Sequence, residues 1–292
     1  MNVSRDSLTS PSITGAQTAG YPVTRIQRSS GWAALNLRDL WAHRELLYFL
    51  IWGDLKLRYK QTALGATWAI LQPFLTMVVF SIFFGRLARI PTDGIPYPVF
   101  AYTALVPWTF FANGLSLGSL SLTRYERVIT KVYFPRLIVV LSAILSGLID
   151  LLIAFVLLIA MLRYYDITPD RAIVALPLFI VFATATALAV SLWLAALNVQ
   201  YRDVRYTIPF LTQVWLFLTP IAYSASLVPS EWRNVYALNP MVGVVEGFRW
   251  SLLQKEHPSW EMIGVSASVV ALILISGLYY FRRMERTFAD VV

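Results

Sequence analysis

The sequence predicts an all-α integral membrane protein with six transmembrane helices, and three observations carry that prediction. Of its 292 residues, 58% are hydrophobic and 14% charged, whereas soluble domains carry about 25% charged residues. The shortage of charge is concentrated: residues 137–162 hold a single ionisable side chain, Asp150. The apolar runs are also continuous. They fit helices crossing a hydrocarbon core roughly 30 Å thick, not the alternating segments of about ten residues that build a β-barrel. Lipid offers no partner to a free backbone N–H or C=O, so helices are the natural assignment.

Taken in order, residues 1–35 are rich in Ser, Thr, Gly and Pro and lack an apolar core. They read as a disordered cytoplasmic tail and not as a signal peptide; residues 36–292 form the transmembrane domain. Residues 35–61 place Leu37, Leu40, Trp41, Leu47, Leu50 and Ile51 close to helical spacing, with Arg38, Asp39, Arg44, Glu45 and Asp54 among them. This is the pattern of an amphipathic helix lying in the membrane interface, with Lys56, Arg58 and Lys60 reaching lipid headgroups. A soluble helix packed on a partner is the alternative, and one face can meet lipid while the other meets protein.

The six spans fall at 66–84, 97–122, 137–162, 172–198, 208–223 and 262–281. An even number puts both termini on one side. Of the 24 Lys and Arg, 17 fall with the termini and the 123–136 and 199–207 loops, and 7 on the other side. By the positive-inside rule both termini are cytoplasmic. The net charge of +8 is therefore read as orientation and not as nucleic-acid binding. Between spans five and six, residues 227–256 are too short and polar to cross. Their apolar core, 241–253, is 13 residues long, broken by Glu246 and Arg249 and preceded by Pro229, Asn239 and Pro240. Two short re-entrant helices on the outer side are expected, at the mouth of a pathway.

The chain has no cysteine and only two histidines, His43 and His257, which excludes disulfides and makes a thiolate or histidine-rich metal site untenable. No Gly is followed by Lys, so a G-x-x-x-x-G-K-[ST] loop is absent, as are a serine elbow and a zinc motif. No catalytic residue, metal or cofactor is expected in this chain.

Asp150 reads either as a polar path lining or proton relay, or as a hydrogen-bond partner of a neighbouring helix or of Ser142 or Ser146. Glu246 and Arg249 are three apart and can pair. They form either an ion pair that makes insertion tolerable or an outer gate that touches a polar substrate. Trp68, Phe74, Trp108, Phe110, Phe111, Trp215 and Tyr223 are candidates to line a substrate path, since the C–H faces of sugars stack on aromatic rings. Interfacial enrichment of Trp and Tyr and simple packing of Phe are the alternative. In the 123–136 loop, Arg124, Arg127 and Lys131 recur at helical spacing beside Glu126, and Pro135 ends the element. Val128, Ile129, Val132, Tyr133 and Phe134 argue for burial against a docked protein; an ordinary solvated basic loop is the alternative.

Several of these segments together resemble one family. DLKLRYKQTALGATWAILQP at 54–73 is similar to the entry of the first span in ABC-2 type permeases that export polysaccharides such as O-antigen and teichoic acid. KVYFPR at 131–136 resembles that family's coupling segment, and NVQYRD at 198–203 resembles the stretch before its fifth span. TPIAY at 219–223, LNPM at 238–241 and Phe248–Arg249 resemble its outer re-entrant region. The resemblance covers residues 36–285 in register, with Gly53 where an Arg is common. It implies a homodimer of six-span subunits, with spans one and five framing a conduit at the dimer axis. It implies two copies of a separate ABC ATPase that bind ATP and magnesium, docked on Arg124, Glu126, Arg127, Lys131, Tyr133, Phe134 and Pro135. It also implies a polyprenyl-linked glycan moved out across the cytoplasmic (inner) membrane, its pyrophosphate met by basic residues of the interfacial helix. Rival readings are an ABC-2 drug or lipid exporter, a proton-coupled secondary carrier, which needs several intramembrane ionisable groups, and a membrane glycosyltransferase, which needs an acidic site.

Overall fold

The computed structural model describes residues 37–60, 65–253 and 260–285; the expected disordered tail lies outside them. All regular structure among these residues is helical: α1 (Leu37–Ala42), α2 (Arg44–Tyr59), α3 (Thr67–Phe80), α4 (Tyr97–Arg124), α5 (Glu126–Ile129), α6 (Leu137–Tyr164), α7 (Leu176–Gln200), α8 (Val204–Leu218), α9 (Arg233–Tyr236), α10 (Pro240–Leu252) and α11 (Trp260–Glu285). α3 continues as a π-helical turn, Ser81–Leu87, and a 3-10 turn, Arg171–Ala175, leads into α7.

Four helical segments are long and apolar enough to cross a membrane: Thr67–Leu87, α6, Arg171–Gln200 and α11. They match predicted spans one, three, four and six. α4 has 28 residues, about 42 Å at 1.5 Å per residue, but is more polar. It can be, because it is the centre of the bundle: α6 and α7 pack along it, joined by α3, α10 and α8, and residues 99–108 are all buried. Close approach of α7 to α4 depends on Gly118, where a Cβ would stand 2.8 Å from Ser191 Oγ.

α8 departs from the expected 208–223 span. It has 15 residues and ends at Leu218, giving about 22 Å. Thr219 is extended, with φ −100° and ψ 143°, because the ring of Pro220 disfavours helical conformation in the residue before it. The chain between α8 and α10 then folds as 3-10 turns at Ala225–Leu227 and Ser230–Trp232 followed by α9.

α10 is buried at every position except Trp250, lodged among α4, α7 and α11. Gly247 permits this, since a Cβ there would lie 2.1 Å from the Phe179 ring of α7. Its start is fixed by Asn239, the N-cap. The Asn239 carboxamide oxygen accepts from the Met241 N–H (3.0 Å) and from Trp215 Nε1 (2.8 Å). Its nitrogen donates to the Leu218 carbonyl (3.0 Å) and to Thr219 Oγ1 (3.1 Å). One side chain therefore caps α10 and holds the end of α8 beside it.

The predicted interfacial helix is two helices broken at His43. α2 packs on α6, and its inward stripe carries Leu50, Asp54 and Arg58, while Trp41 of α1 and Tyr48, Phe49 and Trp52 of α2 are exposed. Its outer face is aromatic and its inner face partly charged.

Candidate functional site

Polar chemistry gathers at three levels of the bundle. At the end bearing α2 and the loop after α4, Asp54 is buried at 4% exposure. The Tyr125 hydroxyl donates to Asp54 Oδ1 at 2.7 Å, and Arg124 Nη1 lies 3.6 Å from the same oxygen. Burial first, then the hydrogen bond and charge of Asp54, push the Tyr125 hydroxyl above its ordinary range, so it stays a donor. At the other end of the loop, the Arg136 backbone N–H donates to Glu285 Oε1 at 3.1 Å, and its guanidinium donates to the Glu285 carbonyl. The segment between α4 and α6 is thus fastened to α2 at one end and to α11 at the other.

Within that segment the sequence expectation divides. Ile129 and Phe134 are buried in the bundle's own core, at 8% and 5% exposure, and require no docked protein to cover them. Val128, Val132 and Tyr133 are exposed, Tyr133 at 91%. Arg124, Glu126, Arg127 and Lys131 are exposed around them and Pro135 is half-buried. Only α5, four residues long, is helical, so the basic residues share no extended helix face.

At the middle level a cavity of about 290 Å³ opens between the end of α2, α3, α4 and α6. Asp150 of α6 stands on its wall. Both Arg58 and Tyr59 of α2 donate to its carboxylate, and Arg58 Nη2 also donates to Ser146 Oγ at 3.2 Å. The reading of Asp150 as a hydrogen-bond partner of a neighbouring helix fits this geometry, with Ser146 bound to the same guanidinium. Arg58, expected at lipid headgroups, turns inward to make this pair. Lys56 and Lys60 remain exposed, Lys56 with its ammonium 5.6 Å from the Trp52 ring centroid. Trp68 and Phe110 line the cavity.

The other aromatic candidates lie elsewhere. Trp108 and Phe111 are buried, with ring centroids 5.5 Å apart, and Phe111 meets Trp215 edge-on at 5.1 Å. Phe74 packs against the same core. Trp108, Phe111 and Trp215 join α4 and α8 from within one subunit.

At the third level, Arg249 is fully buried. Its guanidinium donates to the Ile221 carbonyl at 3.0 Å and the Tyr223 carbonyl at 3.4 Å, pairs with Glu246 Oε1 at 3.4 Å, and lies 3.5 Å from the Phe100 ring centroid. Tyr223 shares a 2.9 Å hydrogen bond with Tyr236. Burial, then that bond, raises the Tyr236 hydroxyl above its usual range. Glu246 and Arg249 do pair, and the pair's main contact is the 221–223 backbone.

Sequence reasoning missed Asp54, Tyr59 and Tyr125. Asp54 and Tyr125 bond each other across 71 residues and Tyr59 bonds Asp150 across 91, and no local spacing reports such a pairing. Asn239 was readable in part, since Asn followed by Pro is a strong start signal for a helix.

The ABC-2 type transporter family model matches residues 45–253, from the start of α2 to the end of α10. The chain is 28% identical over 259 residues to the O-antigen export system permease protein RfbA of Myxococcus xanthus, covering 88% of this chain and 98% of that protein. It is 25% identical over 249 residues to the Klebsiella pneumoniae protein of the same name, covering 85% and 95%. It is 22% identical over 243 residues to the polysialic acid transport protein KpsM of Escherichia coli, covering 80% and 90%.

Proposed function

The chain belongs to the ABC-2 type transporter family, and from that premise we propose that it is the membrane-spanning permease subunit of an exporter that moves a lipid-linked, O-antigen-like polysaccharide across the cytoplasmic membrane. The observation that carries this reading is similarity over nearly the full length of proteins named as O-antigen and polysialic acid permeases, in a chain without a nucleotide-binding loop. Energy then comes from a separate ABC ATPase, two copies serving a homodimer. Six spans are counted by adding α4 and α8 to the four most apolar segments. α8 is counted together with the short turn segment 219–223 that follows it, which is held against α10 by Arg249. Both termini are cytoplasmic by the distribution of Lys and Arg.

The loop 125–136 suits the role of coupling element. It offers exposed Val128, Val132 and Tyr133 between two fastened ends, so a push on it is passed to α2 and α11 as well as to α4 and α6. The pairing of Asp150 with Arg58 speaks against a proton relay there, because both groups already hold partners.

The test is complementation. A host strain lacking this gene should lose surface polysaccharide and accumulate it on the cytoplasmic side. The gene should restore export only with an ATPase whose phosphate-binding Lys is intact. Restored export without a functional ATPase, or unchanged surface glycan in the deletion, would overturn the reading.

A further inference from the structure

We propose that the cavity between α2, α3, α4 and α6 is a binding site for one neutral sugar ring of the exported glycan. The inference rests on the polysaccharide-export reading and adds to it a site within one subunit, separate from any path between α3 and α8: α8 contributes nothing to the cavity wall.

The first support is a row of polar side chains with nothing to bond. Thr109, Asn113 and Ser116 follow one another on α4 at intervals of four and three, so they share a helix face, and Gln72 of α3 joins them. All four line the cavity. None makes a side-chain hydrogen bond among the described residues, and this is unusual within this bundle. On the same helix Thr103, Ser119 and Ser121 each donate to a carbonyl one turn back, as hydroxyls in apolar helices commonly do. Polar groups left unpaired at membrane depth are costly. A row of them facing one cavity is explained by a guest that brings its own hydroxyls.

The second support is the charge of the wall. Among the described residues Arg58 is the only cation lining the cavity, and it is committed to Asp150 and Ser146. A phosphate or pyrophosphate would have to displace that carboxylate. A neutral polyol meets amide and hydroxyl groups that both donate and accept. The third is the apolar part of the wall. Trp68 and Phe110 supply aromatic surface for the C–H face of a ring, the arrangement of a few placed polar groups among apolar ones that marks small-ligand sites. The volume, about 290 Å³, falls just under the roughly 300–1,000 Å³ usual for drug-sized ligands, which suits a single ring and not a chain.

The test uses the permease–ATPase complex in lipid nanodiscs. The chain is free of cysteine, so Asn113→Cys supplies one thiol on the cavity wall. Its alkylation by a small neutral maleimide is followed with and without an oligosaccharide repeat released by mild acid from the host's own exported glycan. Inorganic pyrophosphate at the same concentration is the control. The oligosaccharide should slow alkylation severalfold, pyrophosphate should leave it unchanged, and adding Trp68→Ala should remove the protection. In the deletion strain, the Thr109→Val/Asn113→Leu pair should cut export by about thirtyfold, the worth of two ordinary hydrogen bonds. Its melting temperature should hold or rise, because apolar groups then replace unpaired polar ones. If its abundance falls instead, Gln72→Leu is scored for export in its place. Absence of protection, equal protection by pyrophosphate, or wild-type export in these variants overturns the site. Failure of the wild-type gene to restore surface glycan overturns the export reading itself, so the two failures are distinguishable.

Discussion

Arg249 is fully buried, and its guanidinium serves two carbonyls of the 221–223 segment, the Glu246 carboxylate and the face of Phe100. Its Nε has no hydrogen-bond partner among the described residues, so the fork is held by its two terminal nitrogens and by the ring beneath it. A guanidinium suits this position because it is planar and can donate in two directions while stacked; an ammonium cannot do both. Removing one partner of a buried pair leaves the other uncompensated and costs about 3–5 kcal/mol. Arg249→Ala should therefore lose most of its membrane abundance or melt well below wild type, and Arg249→Lys should fall between. The Glu246→Leu/Arg249→Met pair should regain part of the loss, since no charge is then stranded. Tryptophan-fluorescence melting of the detergent-purified protein reads this directly. An Arg249→Ala protein melting with wild type would show that the 221–223 segment is held by other contacts.

Among the elements, the loop between α4 and α6 makes the sharpest prediction, because two neighbouring aromatics have opposite surroundings. Tyr133 is 91% exposed and Phe134 5%. Tyr133→Ala should leave the melting temperature unchanged and weaken ATPase capture, with a loss of about 2 kcal/mol or more if it is a central contact. Phe134→Ala opens the core and should cost about 3–5 kcal/mol of stability, lowering abundance before binding is considered. Pull-down of the ATPase at matched permease abundance separates the two effects. Equal melting losses in both variants would refute the division. The sequence showed that this loop is amphipathic and ends at Pro135, but not which of two adjacent rings turns inward, since without a regular helix there is no period to read. The same limit explains Arg58. Its basic neighbours Lys56 and Lys60 are exposed, and only the packing of α2 on α6 reveals that Asp150 waits 92 residues away. Spans one, three, four and six were legible because hydropathy alone defines them. α4 was found from its length, although its polar row belongs to a cavity that composition does not display. The end of α8 was misplaced because Pro220 acts through the residue before it.

On the scale of the whole molecule, α3 and α8 are incompletely explained by one subunit. Only 17% of the apolar window of Thr67–Leu87 is buried, against 44% for α6, and Ile208 is the one buried residue of α8. Leu75, Val79 and Ile82 on the first and Phe210, Val214 and Phe217 on the second are exposed at helical spacing. Lipid could cover such rows, but Gln213 is exposed among those of α8, and an amide facing hydrocarbon at mid-span is unfavourable. The homodimer proposed above would supply protein on that face. Both helices start on the cytoplasmic side in the proposed topology, so they run parallel, and residues at similar distance from their starts lie at similar depth, with about 1.5 Å per residue. The depth-matched pairs are Leu75 with Phe210, Val79 with Val214, and Ile82 with Phe217. In a two-fold dimer each contact occurs twice, α3 of one copy on α8 of the other and the reverse. Val79→Cys/Val214→Cys in this cysteine-free chain, oxidised in native membranes, should therefore run as a dimer on a non-reducing gel and go no further. Mixing the two single variants in one cell should also give dimers. A ladder of higher species would indicate an open, head-to-tail contact, and the absence of cross-linking at all three pairs would return these faces to lipid.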